Sequence, residues 1–152
     1  MIVPEPPDGS SKIVSLQNGG YYANEVEGSY EIFRILAVDA DMIHIQPQAP
    51  VFADLPTTDE QLDRIHPSMS HLPLSLQAIF MFTYHYIATA ELDDQDLAGY
   101  AAYLEGLGAS PSERKQRIES LKLLSLQPAV RIDFTYQNHV ITQEILPSKS
   151  ST

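Results

Sequence analysis

Five histidines and several closely spaced carboxylates are the residues with most chemistry to offer in this chain of 152 residues. His44 and His139 fall in segments that read as strands. There an imidazole can face another imidazole or a carboxylate and move a proton near neutral pH. The pairs Glu25/Glu27 and Asp39/Asp41 flank strand ends, and either could supply a general acid or base. Such a site leaves no local motif, because its members can be distant in sequence. Its candidates are His44, His139 and Glu25. The plainer role for both histidines is a surface or hydrogen-bonded core position.

His66 and His71 are separated by Pro67 and cannot sit on one turn of one helix as a metal pair would. Convergence through a loop, with Asp63 near in sequence, is the route to a metal that remains. His85, inside an aromatic run, is expected to be buried and satisfied by a backbone group. Glu91, Asp93, Asp94 and Asp96 lack the spacing, central glycine and closing glutamate of a calcium loop. Helix capping accounts for them. No metal and no cofactor are expected.

With 0 Cys, disulfides, thiolate catalysis, iron–sulfur clusters and Cys-ligated zinc are excluded. There is no glycine-rich phosphate loop, no Gly-x-Ser-x-Gly elbow and no His-Glu-x-x-His. Gly19-Gly20 and Gly106-Leu107-Gly108 read as turns and helix stops. The net charge of −11 repels phosphate backbones, so nucleic acid is disfavoured as a partner. Residues 1–110 hold 16 acids and 3 bases, while 111–152 hold 4 acids and 6 bases. The acidic character therefore belongs to the first three-quarters. No apolar stretch approaches the ~20 residues of a membrane helix, so no membrane partner is expected. Met1 to Gly9 has no basic or apolar leader pattern, which makes the cytoplasm the expected compartment.

The elements that must position these residues are read from periodicity. Gly19 to Glu27, Tyr30 to Val38 and Met42 to Gln46 form a three-stranded antiparallel meander. Tyr30 to Val38 is apolar on both faces, which places it centrally and covers it on both sides. Val51-Phe52-Ala53 is a short edge segment. Thr57/Glu60 or Thr58/Gln61 forms a capping box for a helix of about two turns that ends at Pro67.

Between Leu72 and Leu92 the composition of Ile79 to Ile87 favours a strand and the length favours a helix beginning near Pro73. The helix is the reading taken, with Leu76, Ile79, Phe80, Thr83, Ile87 and Ala90 on one stripe. A further helix capped at Asp93 buries Leu97, Tyr100, Ala101 and Leu104. Ser110-Pro111-Ser112-Glu113 opens the next. Ala129 to Tyr136 alternates cleanly and returns through His139 to Ile145 as a hairpin. The chain is thus α+β: a mostly antiparallel sheet, made of an N-terminal meander and a C-terminal hairpin, with three to four helices between. It reads as one domain over 1–152, with 1–12 and 147–152 loose.

Charge and missing motifs together point to a non-enzymatic acidic interaction domain, of the inhibitor or immunity type, that covers a basic protein partner. Glu25, Glu27, Asp39, Asp41 and Tyr103 are its expected contact residues. Tyr103 is expected to be exposed because it falls off the Leu97–Leu104 stripe. The alternatives are a small enzyme built on a His/carboxylate pair, or a self-associating subunit pairing edge strands near Val51 or Ile141.

Overall fold

The computed structural model describes residues 12–127, 130–137 and 140–147. In chain order come β1 (Lys12–Leu16), β2 (Gly20–Val26), β3 (Ser29–Val38) and β4 (Met42–Ala49), then α1 (Asp59–Asp63). β5 (His66–Pro67), β6 (Leu72–Ser75), α2 (Leu76–Ile79) and β7 (His85–Thr89) follow. The chain closes with α3 (Ala98–Gly106), α4 (Pro111–Ser125), β8 (Val130–Gln137) and β9 (Val140–Pro147). The α+β reading holds, with every named strand pair antiparallel.

The strands form two sheets. A curled sheet runs β5-β4-β3-β2-β7, with β6 sharing the outer edge of β4 with β5. A smaller sheet runs β1-β8-β9. The meander and the hairpin were therefore legible, but not the strand that precedes them. Lys12, expected in a loose arm, opens β1 and pairs with Tyr136. Pro147 likewise closes β9 opposite Val130. The other residues of both terminal segments lie outside the described residues.

β3 occupies the centre. Ile32 through Ala37 are all buried, so both of its faces are covered. On one face, Phe33 and Ile35 join Ile43, Ile45, Ile79 and Phe80 and meet Leu16, Ile132, Phe134 and Tyr136 of the smaller sheet. On the other face, Leu36 and Ala37 meet Leu92, Leu97, Tyr100 and Leu121 from the α3–α4 side. Nearer the β2–β3 turn, Ala23 and Ile32 pack with Phe52, Leu55 and Ile65 of the segment that carries α1. Phe52 is tied there by an antiparallel bridge to Tyr30.

Residues 73–90 do not form one helix. Pro73 and its neighbours extend as β6, only Leu76–Ile79 turn helically, and His85–Thr89 pair with β2 as β7. The β-branched and aromatic composition prevails over the helical spacing once a strand edge is available. The helix expected from Asp93 starts later, at Ala98. Asp93 and Asp96 instead bond each other's backbone N–H groups at 2.8 and 3.1 Å, which closes a turn before the helix. The N–H of Asp96 holds the Asp93 carboxyl below the usual carboxylate range. Both capping boxes are present, at Thr58/Gln61 and at Ser110/Glu113.

Candidate functional site

β4 presents an unusual face. Ile43 and Ile45 point into the core between the sheets, while His44, Gln46 and Gln48 alternate with them and are buried on the other side. Three successive inward polar residues need partners, since a buried polar group left unpaired is costly. Gln48 donates to the backbone and side-chain oxygens of Gln46. Beside Gln46 in register lies Arg34, 3% exposed, whose guanidinium reaches the carbonyls of Gly19, Ala90 and Glu91 and the carboxylate of Asp96 at 3.0 Å.

His44 is fully buried and satisfied on both ring nitrogens. Nε2 lies 2.8 Å from Asp39 Oδ2, and Nδ1 lies 2.8 Å from His71 Nε2. A β-bulge between Ile35 and Ala37 opposite His44 sets this register. Asp39, in the β3–β4 turn, also accepts from the Tyr100 hydroxyl at 2.9 Å and from Arg117 at 3.1 Å. Burial pushes the Asp39 carboxyl up. The hydrogen bonds from His44 and Tyr100, with the charges of His44 and Arg117, outweigh it and hold the group below its usual range. Burial raises the Tyr100 phenol to about 12 despite Arg117.

An ionised Asp39 only accepts, so His44 donates to it from Nε2, and the contact between His44 Nδ1 and His71 Nε2 is bridged by a proton of one ring or the other. His71 Nδ1, the end of the chain, has no hydrogen-bond partner among the described residues. Burial and the charge of His44 lower the His71 pKa. Tyr100 and Tyr103 close over the pair, each with its ring centroid 4.7 Å from that of His44. Gly99 gives the room: a Cβ there would stand 2.6 Å from the Cβ of His71.

Among the expected residues, His44 is thus joined to a carboxylate, but the carboxylate is Asp39 and the second imidazole is His71. Glu25 pairs in register with Tyr30 and His44 with Ala37, which separates them by about 20 Å along β3. Glu25 is exposed, 3.9 Å from His85. Among the described residues the His85 ring has no backbone partner: the side chain is 40% exposed and the ring meets Tyr30 edge-on. His66 is exposed, bonds the Arg64 carbonyl and pairs in register with Ala49, whereas His71 reaches His44. His139 lies outside the described residues. Among the described residues no three His, Asp or Glu groups are placed to hold a metal ion.

The expected contact residues divide between two ends of the molecule. Glu25 and Glu27 stand at the β2–β3 turn, while Asp41, Asp39 and Tyr103 gather at the β3–β4 turn. Tyr103 is half-buried against His44 and His71 rather than free. Its place off the apolar stripe reflects a polar neighbour, not solvent. Around the β2–β3 end, Glu25, Glu27, Glu31, Asp54, Asp59, Glu60 and Asp63 are all exposed. Leu62 and Ile65 anchor the α1 segment beside Tyr21 and Ile87 of the same sheet half. Among the described residues only Glu25 of these acids has an ion-pair partner, His85. Arg34, Arg117, Lys122 and Arg131 pair with Asp96, Asp39, Asp94 and Asp133 instead.

Compared with family models, with curated proteins and with solved structures, the chain matches none. No helix among the described residues is long and apolar enough to cross a membrane.

Proposed function

We propose that the chain is a non-enzymatic acidic interaction domain that binds a basic protein partner through the side bearing the β2–β3 turn and α1. The uncompensated carboxylates there carry the reading. Four of the bases pair with acids elsewhere, and the segments of this side carry one base, the exposed Arg64, against seven acids, so the acids keep their field for a partner. Complementary charge of this kind speeds encounter and rejects acidic competitors. An inhibitor or immunity role is the form that fits a small acidic cover. Asp39 and Tyr103 leave the contact set, because both serve the buried His44 network.

Capture from cell extract with the tagged chain tests this. A basic protein held at low salt and released at high salt is the expected result, because exposed charges are screened. The double reversal E25K/E27K should abolish capture, while E105K on α3 should leave it intact. Capture that survives the double reversal would remove this face.

A second reading draws on the Asp39–His44–His71 chain. When His71 donates Nε2–H to His44, its Nδ1 is an unprotonated base backed by a carboxylate through a second imidazole, which suits general-base work. In this reading the enzyme uses Asp39 and His71 with His44, in place of Glu25 and His139. His71→Gln keeps an N–H donor for His44 but removes the base. Unchanged biological activity in that variant would dispose of the enzyme.

A further inference from the structure

Beside the β2–β3 end lies a slot of about 360 Å³ between β3, β4, β6 and the segment before β7. Its walls are apolar: Phe33, Ile45, Leu72, Leu74 and Phe82. The Phe33 and Phe82 rings stand 5.6 Å apart, centre to centre. Of the residues that line the slot, Glu31 alone is ionisable, and it is exposed. Gln48, 6% exposed, also lines it. Its side-chain amide is spent on Gln46, on the other side of β4 from Ile45. Apolar walls and one carboxylate are the parts of a pocket that takes an apolar body with a cationic neighbour. Aromatic faces add to the attraction for a cation.

We infer that this slot is the anchor pocket of the acidic side, receiving an apolar side chain of the basic partner while an adjacent cationic side chain sits on Glu31. The inference rests on the interaction-domain reading and adds where the partner enters. Interfaces concentrate their energy on a few side chains that fill pockets, ringed by weaker polar contacts. Here the ring is the set Glu25, Glu27 and Asp54, close to the slot through the β2–β3 turn and the Tyr30–Phe52 bridge. A flat acidic patch would bind any polycation. The slot asks for an apolar residue between the charges.

Three capped tripeptides titrated into the full chain separate these ideas: Lys-Leu-Lys, Lys-Ala-Lys and Glu-Leu-Glu. Methyl and backbone NMR signals give the readout. Lys-Leu-Lys should shift the Leu72 and Leu74 methyls, and Lys-Ala-Lys should bind about tenfold more weakly, as loss of a buried leucine implies. Glu-Leu-Glu should not bind. Glu31→Gln, an exposed change that leaves the fold alone, should weaken Lys-Leu-Lys about threefold, in line with an exposed ion pair. Equal binding of the two lysine peptides, or unmoved Leu72 and Leu74 signals, overturns the slot. The acidic-side reading still stands in that case if the amides of Glu25 and Glu27 shift. If neither lysine peptide moves any signal on this side, both fail. Binding of Glu-Leu-Glu as strong as that of Lys-Leu-Lys overturns the role of Glu31.

Discussion

His71 links the buried network to bulk pH. Its pKa is lowered by burial and by the charge of His44, so the folded chain takes up this proton less readily than the unfolded chain. Stability therefore falls as the pH drops below the ordinary imidazole value of about 6.5, until the lowered value is passed. Asp39 acts lower: its stabilisation is present above about pH 4 and is lost as the pH falls through its depressed value. Urea midpoints should decline between pH 7 and 5 in the parent and flatten in His71→Gln; parallel curves would count against this role for His71. Gly99→Ala should push His71 off His44 and cost about 1–3 kcal/mol, as overpacking does, with loss of the His71 ring signal's native shift as the check. Little of this was legible. His44 stood out as a polar residue between two isoleucines, but its partners come from a turn, a loop and a helix, and no spacing links Asp39, His71 and Tyr100. A glycine inside a helical pattern was the one mark of a close approach at residue 99.

At the scale of elements, local signals served where the decision was local. Ser110-Pro111-Ser112-Glu113 specifies its helix start through its own hydrogen bonds, and β8 alternates because one of its faces meets the core. Residues 73–90 failed because sheet edges at β4 and β2 decide their state, and a single segment does not reveal its neighbours. Arg34 escaped for the same reason: it stood as a polar residue on a face read as covered, and no local signal names the three carbonyls and Asp96 that it binds out of solvent. Asp96→Ala should leave that guanidinium without its counter-charge and lower stability by about 3 kcal/mol, since breaking a buried pair strands a charge. Denaturant unfolding measures it. A loss below 1 kcal/mol would mean that the three carbonyls suffice.

The whole molecule carries its surplus of negative charge on the outside. Like charges facing water repel, and salt relieves them. The melting temperature should therefore rise with added sodium chloride, even as capture of a basic partner declines. A melting temperature that falls with salt would show that the internal ion pairs dominate. The sign of the surface was plain from composition, but its division between two ends of β3 needed the topology. The pairing of Lys12 with Tyr136 has a consequence in time. β1 finds its partner only after β8 exists, although the curled sheet is already complete by β7. While the ribosome is still making the stretch between, Leu16 and the apolar side of β3 wait uncovered. That interval, when the half-made chain is stickiest, is when a chaperone would matter most to it.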